Sequence, residues 1–332
     1  MTRLFVAPLA GALALLLTAV GCGGSSKHDS ASDSTVTIRI PDPGNAGVLA
    51  LGKKDGSLAK ALAAVRAKVA WTGSSGPFAP AAQELDAGKL DVAQGSITSA
   101  IAALAQHPGF KLFAQIAPNK TGEGILVRKG SPIASVRDLA GKKVAVNKGG
   151  TAEYLLLKAL ASAGIPADRV TRVYLNPAQT APVFNSGQVD AWAVWSTYSI
   201  PEIASTGARF LVSGGQIGSQ NYSVWAVRNG FADAHPAVVQ AFYQYLHDAG
   251  GRQAQNPASY INVFTDAGPQ AVSGTARQLT VQDLAQTAAP DRIGSSNVND
   301  FGEVARFFAE QKIIPTTVNV QPHVLSLAGS GS

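Results

Sequence analysis

The sequence predicts an α/β protein made of two similar lobes, each with a doubly wound parallel sheet. Three observations support this prediction. The chain has 332 residues, of which 46% are hydrophobic, enough to form two folded lobes. Short β-branched segments alternate with Ala- and Leu-rich segments of helical length, an order typical of parallel sheets with helices on both faces. Part of this pattern recurs 99 residues later in the chain.

Each lobe is predicted to contain three strands separated by two helices. In the first lobe the strands cover residues 36–40, 68–71 and 90–93, and the helices cover 58–67 and 78–86. In the second lobe the strands cover 143–147, 170–175 and 189–194, and the helices cover 152–163 and 178–185. A further strand over 223–227 precedes helices over 236–250, 257–264, 281–287 and 299–311. We expect these last helices to return to the first lobe.

The repeat lies where a helix ends and a strand begins. Gly88 and Asp91 stand between an apolar helix end and an apolar strand, and Gly187 and Asp190 have the same places in the second copy. A glycine is typical just after the last turn of a helix. The same spacing in both halves, together with the same order of elements, indicates two lobes of one architecture rather than a coincidence in an Ala- and Gly-rich chain.

The N-terminus has the pattern of a secretory signal, with a basic start, an apolar stretch and small residues before a cut. We predict a signal peptide over 1–21 and a lipidated, Ser- and Gly-rich tether over 22–35. Cys22 follows Ala19, Val20 and Gly21, which together resemble the lipobox of bacterial lipoproteins. The alternatives are a membrane-spanning helix, which Pro8 and the short apolar run disfavour, and an unlipidated secretory signal.

The composition excludes several classes of function. The net charge of +6 comes from scattered Lys and Arg residues, which does not make the clustered patch that nucleic acid requires. A single cysteine excludes an intramolecular disulfide bond and a thiolate metal site, and the five histidines lack metal-ligand spacing. We therefore expect no metal, no cofactor, no nucleic-acid partner and, without a nucleophile motif, no enzymatic activity.

The loops that follow the predicted strands are rich in Gly, Ser and Thr, and each leads into a helix. Unpaired backbone N–H groups at helix N-termini bind phosphate, sulfate, sulfonate or carboxylate groups. The alternative is that these Ser and Thr residues only cap their helices. Aromatic residues beside the loops offer an apolar surface for a ligand tail. The loops cover residues 72–77, 94–99, 148–151 and 195–198, and the aromatic residues are Trp71, Trp192, Trp195 and Tyr198.

Two segments of the second lobe resemble a known family. Residues 135–156 (SVRDLAGKKVAVNKGGTAEYLL) and 186–195 (SGQVDAWAVW) are similar to the aliphatic sulfonate, taurine and nitrate family of ABC-transporter substrate-binding proteins. Asn221, Tyr222 and Ser223 resemble a further segment of that family. The resemblance implies a type II periplasmic-binding fold, with two lobes joined by a two-strand hinge, and delivery of a small anionic solute to ABC permease subunits in the membrane.

The order of predicted elements places the crossovers between the lobes near 123–128 and 222–227, and the resemblance implies the site residues. Lobe 1 is expected to comprise 36–126 and 226–322, lobe 2 to comprise 127–225, and 323–332 to be a flexible tail. The protein is expected to be a monomer anchored by lipid on the outer face of the cell membrane. The family's ligand-binding positions correspond to Ser75, Gly76, Gly95, Ser96, Gly150, Thr151, Trp195, Asn221 and Tyr222.

The chain departs from the family's pattern at two acidic positions. Many members have an aspartate where Ser96 and Ser196 stand here, and their loss removes contacts to a ligand amine. This favours an alkyl or aryl sulfonate. The alternatives are nitrate, taurine, a thiamine-precursor-like ligand or a desulfinase-like activity. Glu153 lies in the first turn of a predicted anion-binding helix, where it would repel the ligand unless it faces away from the cleft.

Overall fold

The computed structural model describes residues 35–106 and 109–328. Ten strands and eleven α-helices occur in this part of the chain. The strands are β1 (Val36–Asp42), β2 (Ala67–Ser74), β3 (Val92–Ser96), β4 (Phe110–Ile116), β5 (Gly124–Val127), β6 (Lys143–Val146), β7 (Thr171–Tyr174), β8 (Ala191–Val194), β9 (Arg209–Ser213) and β10 (Ser223–Arg228). The mixture of helices and parallel pairs confirms the predicted α/β class, and the predicted signal peptide and Cys22 lie outside the described residues.

The helices cover both faces of the sheets. They are α1 (Val48–Asp55), α2 (Ser57–Ala63), α3 (Phe78–Asp86), α4 (Ile97–Leu104), α5 (Thr151–Ser162), α6 (Pro177–Asn185), α7 (Ser196–Thr206), α8 (Asn229–Ala234), α9 (Pro236–Gln255), α10 (Gly274–Gln286) and α11 (Ser295–Glu310). One apolar cluster packs on each face of each lobe's strands, giving four clusters in all. None of the described helices is long and apolar enough to cross a membrane.

Each lobe receives one antiparallel strand from the crossover between the lobes. In the second lobe the order is β7-β6-β8-β5-β9, and β5 runs antiparallel to both β8 and β9. In the first lobe β10 lies between β3 and β4 and is antiparallel to both. The sheets are therefore mixed, and the two crossover strands are central in their sheets rather than at the edges.

The strand pairing shifts the expected lobe boundaries by three residues. β5 already belongs to the second-lobe sheet at Gly124, whereas the sequence analysis started lobe 2 at residue 127. β10 joins the first-lobe sheet at Ser223 rather than at 226. Crossover segments connect strands whose pairing partners are distant in sequence, so local sequence patterns could not fix their ends.

The prediction of a flexible tail is wrong for residues 323–328. The backbone N–H of Leu325 donates to the carbonyl oxygen of Leu112 at 2.8 Å, and Val324 forms a parallel bridge with Leu112. Leu325 and Leu327 pack against the first-lobe core. This segment therefore covers the β4 side of the first lobe. Residues 329–332 lie outside the described part of the chain.

The local sequence does not indicate α1, because this eight-residue helix follows a Pro- and Gly-rich turn and contains Gly52. A helix-interior glycine normally lowers helix stability by about 1 kcal/mol relative to alanine. Here a Cβ atom on Gly52 would lie 1.8 Å from the hydroxyl oxygen of Tyr245 on α9. Close packing of α9 on α1 therefore requires glycine, and this tertiary contact is not visible in the local sequence.

Each repeated aspartate makes the same pair of hydrogen bonds to the backbone of a neighbouring strand, one through its own N–H and one through its side-chain oxygen. Asp91 donates its N–H to the carbonyl of Arg39 on β1 and accepts the Arg39 N–H at Oδ2, both at 2.9 Å. Asp190 makes the equivalent pair with Lys143 on β6, both at 2.8 Å. The repeat in the sequence therefore corresponds to a repeated link between the first and third strands of each lobe.

Asp91 has a further role in the first lobe. Its fully buried carboxylate also accepts hydrogen bonds from the guanidinium groups of Arg39 (2.7 Å) and Arg228 (2.6 Å). Burial alone would raise the pKa of Asp91, but the hydrogen bonds from the two arginines lower it below its ordinary value. One ionised carboxylate thus connects β1, β3 and β10.

We expect Asp91→Asn to lower the free energy of unfolding by about 3 kcal/mol, because it leaves two partly buried arginines facing a neutral group. Asp190→Asn is the matched control, since Asp190 makes only the backbone pair, and its cost should be about 1 kcal/mol or less. Urea unfolding followed by circular dichroism measures both values. Equal losses for the two variants would contradict a special role of Asp91.

Candidate functional site

A cleft of about 590 Å³ lies between the strand ends of the two lobes. This volume lies in the range of small-molecule sites. Five helices begin at its wall, since residues at or next to the first turns of α1, α3, α4, α5 and α7 line it. Because strand ends and helix starts meet there, the cleft is placed where open α/β sheets bind their ligands.

Seven of the nine expected site residues line this cleft, and two do not. Gly150 is the N-cap of α5, and it lies directly before a lining residue. Tyr222 faces elsewhere, because its hydroxyl donates to Asp300 at 2.6 Å and its ring packs against Phe301. The expected residues that line the cleft are Ser75, Gly76, Gly95, Ser96, Thr151, Trp195 and Asn221.

Ser96 caps the helix that it precedes. Its hydroxyl oxygen accepts a hydrogen bond from the backbone N–H of Ser99 at 3.2 Å. The backbone N–H of Ile97, the first residue of α4, donates to the carbonyl oxygen of Tyr222 at 2.8 Å. In this structure the Ser96 hydroxyl therefore caps α4, which is the alternative role considered for the Ser and Thr residues of these loops. Gly95 has a packing role, since a Cβ atom there would lie 2.4 Å from the Phe78 ring.

The start of α5 also has internal partners. The side-chain oxygen of Asn147 accepts the N–H of Ala152 at 2.9 Å. Glu153 is fully buried and accepts from the N–H of Gly149 (2.7 Å), from Arg172 (2.9 Å) and from the hydroxyl of Tyr174 (2.7 Å). Glu153 is not among the residues that line the cleft, so its carboxylate faces away from the site and is paired with a cation.

A carboxylate from the C-terminal part of the chain reaches the start of α7. Oδ1 of Asp283 on α10 accepts from the hydroxyl of Ser196 at 2.9 Å and from the side-chain amide of Asn119 at 2.5 Å. Burial raises the pKa of Asp283 above its ordinary value. Ser196 is one of the two positions where the family pattern has an aspartate, so an acidic group is present beside it even though its own side chain is neutral.

The floor of the cleft is a hydrogen-bonded network centred on Asn221. Its side-chain oxygen accepts from Thr98 on α4 at 2.9 Å. Its side-chain nitrogen donates to Thr151 on α5 at 3.1 Å and to Oε2 of Glu123 at 2.8 Å. Ser219 donates to the other Glu123 oxygen at 2.6 Å. These side chains come from both lobes and both crossover segments, so the network joins four separate parts of the chain.

The charge of the cleft wall is unusual for an anion site. The ionisable residues among the described residues that line it are Glu84, Glu123 and Asp283, and no Lys, Arg or His of the described chain is among them. Burial raises the pKa of Glu123 to about 7, against opposing hydrogen bonds from Ser219 and Asn221. An anionic ligand would therefore rely on backbone N–H groups, hydroxyl groups and helix dipoles rather than on a cationic side chain.

Sequence reasoning missed the residues that reach the cleft from distant segments. Glu123 and Asn119 lie in the first crossover, Asp283 lies on α10, and Trp225 lies on β10. None of them lies in a Gly- and Ser-rich loop before a helix, and such loops were the pattern that predicted the ligand site. The polar pair Asn119 and Glu123 before an apolar strand was the available hint.

Glu123 gives the folded state a pH dependence of defined sign. Because its carboxyl has a pKa of about 7 in the fold and an ordinary value of 4.5, the folded state binds this proton more tightly. The associated stability is present below pH 4.5 and is lost as the pH rises through 7, by about 3 kcal/mol in total.

We therefore expect the Glu123→Gln variant not to lose this stability as the pH rises. The free energy of unfolding of the variant, relative to that of the wild type, should increase between pH 5 and pH 8. Urea unfolding at several pH values measures the difference. Glu84→Gln is the control, because Glu84 is an exposed glutamate of the same cleft. Parallel pH profiles for the wild type and Glu123→Gln would contradict the prediction.

Sequence comparison and structure comparison both find proteins whose names refer to sulfonates or taurine. A Bacillus subtilis (strain 168) protein, named provisionally as an aliphatic sulfonates-binding protein, is 31% identical over 258 residues, which are 76% of each chain. The taurine-binding periplasmic protein of Escherichia coli (strain K12) is 32% identical over 50% of this chain and 52% of its own. The alkanesulfonate-binding protein SsuA of Xanthomonas axonopodis pv. citri, bound to MOPS, superposes with a TM-score of 0.78 at 25% identity over 88% of this chain and 99% of its own.

The family model described as NMT1/THI5 like matches residues 75–259. This segment extends from the loop before α3 to just past the end of α9 and contains all nine expected site residues. The match covers more than half of the chain, and the similarity to the Bacillus subtilis relative extends over three quarters of it. The chain therefore belongs to the NMT1/THI5-like family.

Proposed function

We propose that this protein is the extracytoplasmic solute-binding component of an ABC importer, and that it captures an alkyl or aryl sulfonate between its lobes and delivers it to the permease. The observation that carries the proposal is the convergence of helix N-termini and hydroxyl groups on a cleft with an apolar wall. The names of the relatives, which refer to sulfonates and taurine, support the same class of ligand.

The charge of the cleft supports a singly charged head group with an organic tail. Three acidic side chains line the wall, and each ionised one would repel an anion, so a dianion such as sulfate is penalised more than a sulfonate. Burial favours the protonated forms of Glu123 and Asp283, which reduces this repulsion. Trp195 and Phe78 offer aromatic surface for the tail, and the Trp195 ring packs edge-on against Tyr198 with centroids 5.1 Å apart.

An aminosulfonate such as taurine is the second candidate, and Asp283 is the observation that favours it. In the sequence, the absence of an aspartate at position 196 counts against a ligand amine. The structure brings the carboxylate of Asp283 to the hydroxyl of Ser196 instead. A ligand ammonium group could pair with this carboxylate, so the substitution at position 196 does not exclude such a ligand.

Catalysis is not part of the proposal. The close relatives are named as binding proteins. A desulfinase-like activity built on a cysteine nucleophile or on histidines is not supported, because neither residue type is among the described residues that line the cleft. We propose that the protein acts as a monomer and is held at the outer face of the membrane by lipid on Cys22.

A ligand panel tests the solute class. We expect alkane- and arylsulfonates at 100 times their Kd to stabilise the protein by about 2.7 kcal/mol, because only the folded state binds them. Differential scanning fluorimetry should record this as a rise in melting temperature, and calorimetric titration should give the Kd. Taurine tests the second candidate, and sulfate and an alkanol of equal chain length are the controls. A panel in which no sulfonate raises the melting temperature would refute the proposed ligand.

A cysteine variant tests the anchor. We expect Cys22→Ala in the full chain to leave ligand affinity unchanged and to move the protein from the membrane fraction to the soluble fraction, because the thiol is the site of lipid attachment. Detergent phase partitioning and fractionation measure the change. Ser25→Ala in the same tether is the matched control and should remain with the membranes. Membrane retention of Cys22→Ala would show that the anchor lies elsewhere.

A further inference from the structure

Trp225 is a buried hydrogen-bond donor without an acceptor. The residue lies on β10, is 3% exposed and lines the cleft. Its indole N–H has no partner among residues 35–106 and 109–328. The ring itself is fixed by packing, edge-on against Phe242 with centroids 5.7 Å apart. A buried indole N–H is normally paired, so this donor indicates a group that the protein alone does not supply.

The strands beside this tryptophan reach the wall of the cleft. β1 pairs only with β2, while β3, β10 and β4 form a separate sheet, so β1 and β3 have no ladder between them in the described chain. Asp91 and Arg39 connect the two strands where β3 begins. Further along, Ile40 on β1 and Gln94 on β3 both line the cleft. Trp225 is the partner of Gln94 in the β3–β10 pairing, so the same part of the cleft wall includes its side chain.

The five helix starts at the cleft differ in their hydrogen-bond partners. The first turns of α4 and α5 are capped by Ser96 and Asn147, and α7 begins at Ser196, whose hydroxyl is bound to the Asp283 carboxylate. No side chain caps α1, α3 or α7. The start of α7 has the Asp283 carboxylate beside it, whereas α1 and α3 begin after Gly47 and Pro77 and line the same cleft as Trp225 in the first lobe.

We infer that the first lobe holds the anionic head group of the solute, and that the Trp225 indole N–H donates a hydrogen bond to one of its oxygens. The uncapped starts of α1 and α3 supply backbone N–H groups and the positive ends of their dipoles. The second lobe then covers the organic tail with Trp195. This inference rests on the proposed function, because it assigns the sulfonate oxygens to particular donors of the same cleft.

The test removes the donor and keeps the ring. Trp225→Phe retains an aromatic side chain against Phe242 but lacks the N–H, and we expect it to raise the Kd for butanesulfonate at least tenfold. The loss should be the same for ethane-, butane- and hexanesulfonate, since a head-group bond does not depend on tail length. A loss that grows with tail length, or a change in Kd below twofold, would overturn the inference.

Two controls separate the inference from instability and from failure of the proposed function. Trp192→Phe changes a buried tryptophan of the second lobe that does not line the cleft, and it should leave the Kd unchanged. Both variants are compared with the wild type by melting temperature without ligand. If the wild type binds sulfonates and Trp225→Phe binds equally well, only the inference fails. If the wild type binds no sulfonate, the inference and the proposed function fail together.

A spectroscopic measurement does not depend on the variant's affinity. The indole N–H resonance of Trp225 can be assigned as the one that disappears in Trp225→Phe. We expect butanesulfonate to shift this resonance downfield in the wild type, because the proton enters a hydrogen bond to a charged oxygen. A resonance that does not move when the site is saturated would contradict the assignment of Trp225 as a donor to the head group.

Discussion

The rest of the structure depends on the buried network that Asn221 forms at the floor of the cleft. Its amide has one acceptor and two donor positions, and all three are used by groups from different segments: Thr98, Thr151 and Glu123. A buried amide with these partners fixes the relative positions of the starts of α4 and α5 and of both crossovers. Because leaving any of these groups unpaired would cost about 1–3 kcal/mol, the network favours one arrangement of the cleft floor.

The same network explains how the cleft can be polar without being cationic. Asn221, Thr98 and Thr151 satisfy one another, so they complete the floor without requiring a ligand. Glu123 is held next to them in a position where burial favours its neutral form at pH values below about 7. The remaining attraction for an anion comes from helix starts and single donors, which are fixed by the fold and need no flexible charged side chain.

The sequence was informative wherever the determining interaction is local. The α/β order, the Gly–Asp repeat and the loops before α3, α4 and α5 follow from hydrophobic period and turn chemistry, and the structure has them at or within a few residues of the expected places. Ser75 and Thr151 were found in this way. The family resemblance supplied Asn221, whose importance cannot be deduced from its immediate neighbours.

Other features depend on contacts between distant segments, and these were missed or misplaced. α1 exists because α9 packs closely on Gly52, and residues 323–328 are ordered because they pack on β4 and the first-lobe core. Asp283 and Trp225 reach the cleft only because the C-terminal half of the chain returns to the first lobe. Tyr222 was placed in the site by resemblance, yet its hydroxyl bond to Asp300 directs it away.

The difference between the two lobes follows from one break in hydrogen bonding. In the second lobe β6 and β8 pair directly, so the backbone pair made by Asp190 only extends an existing ladder. In the first lobe β1 and β3 lack such a ladder, and Asp91 connects them with the help of two arginines. This costs a buried charge, which is stable only while both arginines are present. Beyond this link, Ile40 on β1 and Gln94 on β3 line the cleft together with Trp225, so the first lobe presents its strand ends to the ligand where the ladder is missing.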